Sequence, residues 1–329
     1  MKHILTSLFF ILVNTVSFGQ GEQLYPDGSD VDQDGNTFEW INYGTQDWSI
    51  ENAEVVTYRD GTPIPQVTSD AEWSNLATGA WAYYNNDPTK RRLYNWYALA
   101  GIHDAASFSD PSLRKEFAPQ GWQVPSDPEW TILEEYLIAN GYNYDGTTTG
   151  NKIAKSMAST SGWGISTVEG AVGNDQSLNN SSGFNAFPDG IRINDGSFLV
   201  EGNNAVIWSS TENDLGTAWY RNIGINRSWV IRPNNTKQLG LSVRFFRNNS
   251  TASLDDFTNS INIFPNPASD FINITVDSEL EVLVLDLLGK ELIRENINGK
   301  LDISFLEKGI YIIKLTDGVN TSSYKIIKK

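Results

Sequence analysis

The chain has 329 residues, and its 40 Asp and Glu against 24 Lys and Arg give a formal net charge of −16. This balance argues against binding to nucleic acid, where cations must neutralise phosphates, and against binding to an anionic membrane surface. Cysteine is absent and only two histidines occur, which excludes disulfides, thiol nucleophiles and cysteine-based metal sites.

The N-terminal residues have the pattern of a secretory signal peptide. Lys2 and His3 supply a short positive region, residues 4–13 are mainly apolar, and Ser17-Phe18-Gly19 offers a small-x-small cleavage pattern. The apolar stretch is too short to cross a bilayer, so residues 1–19 are predicted to be a signal peptide rather than an anchor. Because no later apolar run approaches about 20 residues, we expect an exported chain without a membrane span.

The composition changes near residue 250, which predicts two domains. All 11 tryptophans lie between Trp40 and Trp229, whereas isoleucine is frequent after residue 250. The polar stretch between the two compositions, residues 248–260, is typical of a linker. We therefore place a large domain at residues 30–247 and a small domain at residues 261–329.

The large domain is predicted to contain few helices and many short strands. Ser126-Asp127-Pro128-Glu129 is a capping box, and apolar residues follow it at helical spacing, so a helix is predicted from here to Asn140-Gly141. Ser69-Asp70-Ala71-Glu72 starts a shorter helix in the same way. Strands between turn residues are predicted at residues 37–41, 205–209, 218–223, 229–232 and 241–246. Long loops join these elements, so we expect an α+β fold rather than a parallel α/β sheet.

The small domain is predicted to be all-β. Seven segments have the composition of strands and the spacing of an immunoglobulin-like sandwich. They are residues 261–264, 271–276, 281–286, 291–296, 300–304, 309–315 and 322–328.

Three motifs and a basic tail also follow one another in the small domain. They are Ile263-Phe264-Pro265-Asn266-Pro267-Ala268, Asp286-Leu287-Leu288-Gly289-Lys290, Gly309-Ile310-Tyr311-Ile312-Ile313-Lys314 and residues 325–329. In this order they resemble the C-terminal sorting domain of type IX secretion (Por) cargo. The resemblance implies the type IX secretion machinery as a partner. It also implies passage through the periplasm, followed by release or attachment at the outer cell surface.

A second resemblance covers residues 32–247. It rests on Asp34-Gly35-Asn36, Trp48, Glu51-Asn52, Tyr58-Arg59-Asp60-Gly61 and residues 93–98, 118–127, 183–188, 208–212 and 241–244. These motifs resemble the Fibrobacter succinogenes major paralogous domain family, which implies a C-type-lectin-like fold with few helices and long loops. The family has no well-defined activity, so the resemblance implies a fold and leaves the function open.

Residues 30–36 begin like a calcium loop. Asp30, Asp32 and Asp34 stand at alternate positions before Gly35, as in an EF-hand, but Ile41 occupies the position of the bidentate glutamate. We therefore predict a β-turn into the first strand of the domain instead of a metal site.

Two other sets of residues are candidate binding sites. Glu212-Asn213-Asp214 groups three oxygen-bearing side chains in a loop, and C-type lectins bind calcium and sugar in such a loop. The lectin triplets Glu-Pro-Asn and Gln-Pro-Asp are absent, so a solvated acidic loop without metal is the alternative to a calcium site. No cofactor other than this calcium ion is expected. For the second set, aromatic stacking on sugar rings is predicted. Its members are Trp163, Trp219 and Trp229, whereas Trp96, Trp122, Trp130 and Trp208 are assigned to the core.

Catalytic patterns are weak. His103 is the one histidine beyond the signal peptide, and no serine lies in a Gly-x-Ser-x-Gly setting. Paired carboxylates could hydrolyse a glycosidic bond, but 40 acidic residues leave the pair undefined. We therefore predict a non-catalytic, secreted or cell-surface binding protein whose ligand is a glycan or a protein. The alternatives are a secreted glycan hydrolase and a self-associating structural or adhesin component of the surface.

Overall fold

The computed structural model describes residues 21–248, 261–275, 280–286, 289–297, 299–316 and 321–329. The predicted signal peptide at residues 1–19 lies outside the described residues, as does the predicted linker at residues 248–260 apart from its first residue. The chain divides into two compact units, which consist mainly of residues up to 247 and of residues from 248 onward.

The large unit combines short strands with few helices, as predicted. Its helices are α1 (Asp70–Trp73), α2 (Trp96–Leu99), α3 (Ala105–Ser109), α4 (Asp127–Ala139) and α5 (Ala154–Met157). Its strands are β1 (Gly28–Val31), β2 (Thr37–Tyr43), β3 (Gln46–Ser49), β4 (Trp81–Tyr83), β5 (Arg92–Tyr94), β6 (Ile191–Arg192), β7 (Phe198–Leu199), β8 (Asn204–Glu212), β9 (Thr217–Gly224), β10 (Asn234–Thr236) and β11 (Phe246–Asn248). Long loops join them, and α4 is the longest of the described helices.

Helix α4 starts at the predicted capping box. The Ser126 N–H donates to Glu129 Oε2 at 2.8 Å, which satisfies a donor that the first turn leaves free. Its apolar face is fully buried and consists of Trp130, Leu133 and Leu137. Helix α1 starts in the predicted way too, because the Ser69 hydroxyl accepts the Glu72 N–H. Both predicted helices are confirmed, although α1 ends after one turn.

Two sheets frame the core of the large unit. Their strand orders are β1-β2-β3-β11 and β10-β9-β8. In the second sheet β8 and β9 are antiparallel, with Val206 opposite Asn222 and Trp208 opposite Tyr220. The side chains between the elements are rich in aromatic rings, and the four tryptophans assigned to the core are all buried: Trp96, Trp122, Trp130 and Trp208.

Two of the strands predicted from sequence do not form regular strands. Within residues 229–232, Ile231 makes a single bridge to Asn222, and the following Pro233 has no N–H to continue a ladder. Residues 241–245 are extended, but their backbone bonds go to a different neighbour at nearly every step. The Leu241 N–H donates to Tyr94, for example, whereas the Ser242 N–H donates to Val206.

The small unit is the predicted all-β sandwich. Its strands are β12 (Asn262–Phe264), β13 (Phe271–Thr275), β14 (Leu280–Leu285), β15 (Glu291–Ile297), β16 (Lys300–Asp302), β17 (Gly309–Thr316) and β18 (Thr321–Lys328). They form two sheets with the orders β12-β13-β16 and β15-β14-β17-β18. Alternate aliphatic side chains of both sheets fill one core, which includes Ile272, Val282 and Ile313. The first, second and fifth strands therefore face the other four, as in immunoglobulin-like sandwiches.

Candidate functional site

The acidic segments that resemble calcium loops are both occupied by hydrogen bonds. Asp32 Oδ1 accepts the N–H groups of Asp34 and Asn36, each at 2.9 Å, so the predicted turn is confirmed. At the tip of the β8–β9 hairpin, Asp214 Oδ1 accepts the N–H groups of Gly216 and Thr217, each at 2.8 Å. These hydrogen bonds lower the pKa of Asp214.

The other two members of the predicted calcium loop also have protein partners. Glu212 pairs with Lys237 at 3.3 Å, and the Asn213 amide donates to Asp214 and to Thr217. Within the described residues, no three acidic, histidine or cysteine side chains cluster closely enough to hold a metal ion. Calcium binding at Glu212, Asn213 and Asp214 stays a prediction.

The three tryptophans predicted to stack on a ligand lie in three different environments. Trp163 is 6% exposed and its indole N–H donates to Ser159 Oγ at 3.1 Å, so the prediction that it lies at the surface is wrong. Trp219 is half-buried, and the Arg232 guanidinium covers one face 3.7 Å from the ring centroid. Trp229 is 46% exposed and is the one of the three with a large accessible surface.

A pocket of about 280 Å³, which we call the amide pocket, lies against the β8–β9–β10 sheet. Side chains alternate along a strand, so Tyr220 and Asn222 of β9 face the same side of the sheet as Val206 of β8. Aliphatic residues form its floor and walls: Ile191, Ile193, Val200, Val206, Leu239 and Leu241. Four amides and one phenol supply its polar groups: Asn194, Asn204, Asn222, Asn235 and Tyr220. No charged side chain lines it.

Hydrogen bonds position the polar groups of the amide pocket and leave some of them available. Asn204 Nδ2 donates to Asn222 Oδ1 at 2.7 Å, and the Asn235 side chain bonds the Tyr220 hydroxyl. Burial raises the pKa of Tyr220, so the hydroxyl is protonated at neutral pH. Asn204 Oδ1 and Asn222 Nδ2 make no hydrogen bond within the described part of the chain, so an acceptor and a donor remain for a ligand.

The sequence does not reveal the amide pocket, because nothing distinguishes its asparagines from the many that form turns. Asn222 carries the best signal, since asparagine is unfavourable in the middle of a strand and β9 contains it between Arg221 and Ile223. In the structure, Asn222 pairs with Val206 across the two strands, and both side chains line the amide pocket.

Two carboxylates of helix α4 both form ion pairs with one buried arginine of strand β9. Arg221 Nη1 donates to Asp127 Oδ1 at 2.7 Å, and Arg221 Nε donates to Glu134. Arg232 adds three further bonds to Asp127 at 2.7–2.9 Å. Burial raises the pKa of Glu134, whereas in Asp127 the effect of burial is outweighed by the two arginines, which lower its pKa. The pKa values of Asp127 and Glu134 are thus shifted in opposite directions, and both carboxylates form ion pairs with Arg221.

A buried ammonium group holds together the loop at residues 171–179. Lys155 is 3% exposed, and its Nζ donates to Asn174 O, to Asp175 O at 2.9 Å and to Asn179 Oδ1 at 3.0 Å. Ala171 O lies at 3.5 Å. Burial lowers the pKa of Lys155. The ammonium is thus surrounded by carbonyl and amide oxygens, which are the ligands that calcium uses in proteins.

Comparison with known proteins identifies both parts of this exported, β-rich chain. Residues 41–247 match the Fibrobacter succinogenes major domain, and residues 262–329 match the secretion system C-terminal sorting domain. The chain therefore belongs to the Fibrobacter succinogenes major domain family and carries a Por sorting domain. It is also 36% identical over 72 residues to β-agarase D of Zobellia galactanivorans. That match covers 21% of this chain and 15% of the agarase.

The sorting domain assigns the protein to the outside of the cell. It directs type IX export, which ends in secretion or in attachment to the outer surface, so the predicted localisation is confirmed. Among the described helices, none has the length and apolar character that crossing a bilayer requires.

Deletion of residues 261–329 is expected to leave the protein in the periplasm, because the sorting domain is the part that the type IX machinery handles. Immunoblots of medium, surface and periplasmic fractions measure this against the full chain in the same cells. Protease resistance of the retained protein checks that the large unit has folded. Equal amounts of truncated and full-length protein in the medium would contradict the assignment.

Proposed function

We propose that this protein is a non-catalytic binding protein of the cell exterior and that the amide pocket binds a neutral sugar. The observation that carries the proposal is the lining of the pocket, which combines an apolar floor with amide and phenol groups and no charge. Sugar rings have apolar faces and uncharged hydroxyls, so this lining complements both. A volume of about 280 Å³ suits one ring.

We further infer that the large unit has the C-type-lectin-like fold that its motifs imply. In support, the unit has few helices, small antiparallel sheets and long loops. Calcium is not required by this proposal. The amide pocket offers neutral hydrogen-bonding groups, and the Glu212–Asp214 segment lacks the lectin triplets.

A glycan array with the full chain, run with calcium and again with a chelator, tests the proposal. Agarose oligosaccharides belong among the probes because a β-agarase is a relative. We expect binding that survives chelation and falls at least tenfold in Asn222→Ala, which removes the free donor and the bond to Asn204. Asn226→Ala is the matched control, since Asn226 is exposed and does not line the pocket.

The other outcomes each point elsewhere. Binding that is lost with the chelator would favour calcium at Glu212, Asn213 and Asp214 over the amide pocket. The absence of binding in both conditions would overturn the glycan proposal and would favour a protein ligand or self-association. Sedimentation velocity of the full chain at several concentrations would detect self-association.

A secreted hydrolase is the second candidate, and one observation favours it. Asp127 and Glu134 are adjacent carboxylates whose pKa values are shifted in opposite directions, as in acid–base pairs of glycosidases. Their ion pairs with Arg221 and Arg232 support a structural role instead. Release of reducing ends from a bound glycan, abolished by Glu134→Gln, would favour the hydrolase.

A further inference from the structure

A second cavity of the large unit, which we call the cationic cleft, has a volume of about 560 Å³. Residues 114–118 and 121–124 form most of its lining, with Arg59, Leu99 and Ser210 among the others. No residue that lines the amide pocket also lines this cleft. The two cavities are therefore separate sites.

The charge of the cleft is opposite to that of the chain. Arg59, Arg114 and Lys115 line it, and its one acidic lining residue, Glu116, has a side chain that is 72% exposed. Lys115 is paired with Asp60 outside the lining, and Arg59 Nη2 lies 3.8 Å from the exposed carboxylate of Glu116. Arg114 is therefore the one cation of the lining that has no ion pair among the described residues. In a chain with a net charge of −16, this local excess of cations attracts an anion to one place.

Arg59 is held in position before any ligand binds. Its Nε donates to Ala118 O at 2.9 Å, and its Nη2 donates to Pro119 O at 3.1 Å and Trp122 O at 3.2 Å. Its Nη1 makes no hydrogen bond with the described residues. An arginine fixed in this way loses little side-chain freedom when it binds an anion.

Arg114 has more donors available. It is half-buried, and its Nε makes one long bond to Ser107 O at 3.4 Å. Neither of its Nη atoms bonds to the part of the chain that the structure describes. A guanidinium group whose Nη1 and Nη2 donors are both free presents one N–H edge that matches two oxygens of a carboxylate or a sulfate in a bidentate arrangement.

The backbone that carries Arg114 and Lys115 is fixed by a close approach. The Lys115 N–H donates to Gly101 O at 3.0 Å, and a Cβ on Gly101, whose φ is +73°, would lie 2.0 Å from Lys115 O. The Arg59 N–H donates to Glu116 O at 2.8 Å, which ties the other wall to the same segment. The geometry of the cations is therefore set by the fold.

Apolar groups share the cleft with these cations. The half-buried Val124 lines it, and Leu99 and Phe117 lie beneath its surface at 6% and 2% exposure. On the neighbouring short helices, outside the lining, Phe108 and Leu113 are about half exposed. A small inorganic anion would leave this apolar surface and most of the volume unused. A sugar ring with an anionic substituent fills both kinds of surface, because its apolar face can pack while its substituent meets the arginines.

We propose that the cationic cleft binds a saccharide that carries a carboxylate or a sulfate ester. This inference rests on the proposed function because both take a glycan as the ligand. It differs in the site, which is the cationic cleft, and in the ligand, which is anionic instead of neutral. The arginines recognise the anionic substituent, and the apolar surface recognises the ring.

Isothermal titration of the full chain tests the inference with five probes: a digalacturonate, a sulfated galactobiose, neutral galactobiose, inorganic sulfate and a glutamate tripeptide. We expect the two acidic saccharides to bind, with affinity that falls as salt rises, and neutral galactobiose not to enter this cleft. Arg114→Gln is expected to weaken acidic binding at least tenfold while circular dichroism stays unchanged. Lys90→Gln, which removes a surface cation outside the cleft, and Asn222→Ala, in the amide pocket, are expected to leave acidic binding intact.

Several results would overturn the inference. Absence of acidic binding would do so, as would acidic binding that Arg114→Gln does not change. Inorganic sulfate that binds as tightly as the sulfated disaccharide would show a free-anion site, and tighter binding of a glutamate tripeptide would show a peptide site. Loss of neutral-sugar binding in Asn222→Ala with acidic binding intact would support both proposals. Acidic binding without any neutral binding would remove the amide-pocket proposal alone.

Discussion

Replacing Lys155 by methionine is expected to lower the free energy of unfolding of the large unit by about 3 kcal/mol. Methionine keeps the apolar stem but removes the ammonium, so the oxygens of Asn174, Asp175 and Asn179 lose their shared donor. A buried acceptor without a donor costs about 1–3 kcal/mol, and relaxation of the loop keeps the total near the lower end of the sum. Equilibrium urea unfolding measures the loss, and hydrogen exchange at residues 171–179 shows whether it originates in this loop.

Lys152→Met is the matched control for that experiment. Lys152 lies three residues away and pairs with the half-buried Asp145 at the surface, where ion pairs contribute below about 1 kcal/mol. Equal losses in the two variants would show that the buried oxygens do not depend on the ammonium. Unchanged exchange at residues 171–179 in the Lys155 variant would lead to the same conclusion.

Asp127→Asn is expected to destabilise the large unit by about 3–4 kcal/mol at neutral pH. The substitution removes the negative charge that Arg221 and Arg232 share, and Arg221 is 2% exposed, so a buried cation keeps Glu134 as its one acidic partner. Breaking a buried ion pair on one side costs more than the pair itself contributes, because the remaining charge stays desolvated. Urea unfolding at several pH values measures the effect.

The pH dependence of this variant follows from the sign of the pKa shift. The folded pKa of Asp127 lies below the ordinary value of 3.8, so its contribution to stability is fully present at neutral pH and disappears as the pH falls through the folded value. The difference between wild type and Asp127→Asn should therefore shrink below about pH 4. Glu135→Gln, on the exposed face of the same helix, should change stability by less than about 0.5 kcal/mol at any pH. A pH-independent loss in Asp127→Asn would contradict the ion-pair explanation.

The elements that sequence predicts best are those whose signals are local. The capping box at Ser126 and Glu129 places the start of α4 because both partners lie within one turn. Period-two alternation of aliphatic residues places all seven strands of the small unit to within one or two residues, since each strand buries one face in a shared core. The order of the strands in a sheet is different, because it depends on contacts that are distant in sequence. The motif that begins at Gly309 also suggests an edge strand, for example, whereas β17 lies between β14 and β18.

The candidate sites depend on such distant contacts, and for this reason sequence predicts them poorly. Trp163 falls in an unpatterned loop, yet Ser159 and the surrounding core bury it. The amide pocket brings together residues from Ile191 to Leu241, and no spacing along the chain marks them as neighbours. The oxygens around Lys155 are mostly backbone carbonyls, which every residue has, so composition carries no trace of the arrangement.

The uneven placement of the tryptophans makes the two units optically distinct. All 11 indoles belong to residues 40–229, several of them fully buried, whereas Tyr311 and Tyr324 are the aromatic hydroxyl residues of the C-terminal unit. Selective excitation of indole therefore produces emission from the large unit alone, and the small unit is dark. Indole emission therefore reports the folding of the large unit during export, and the two tyrosines of the sorting domain add nothing to that signal.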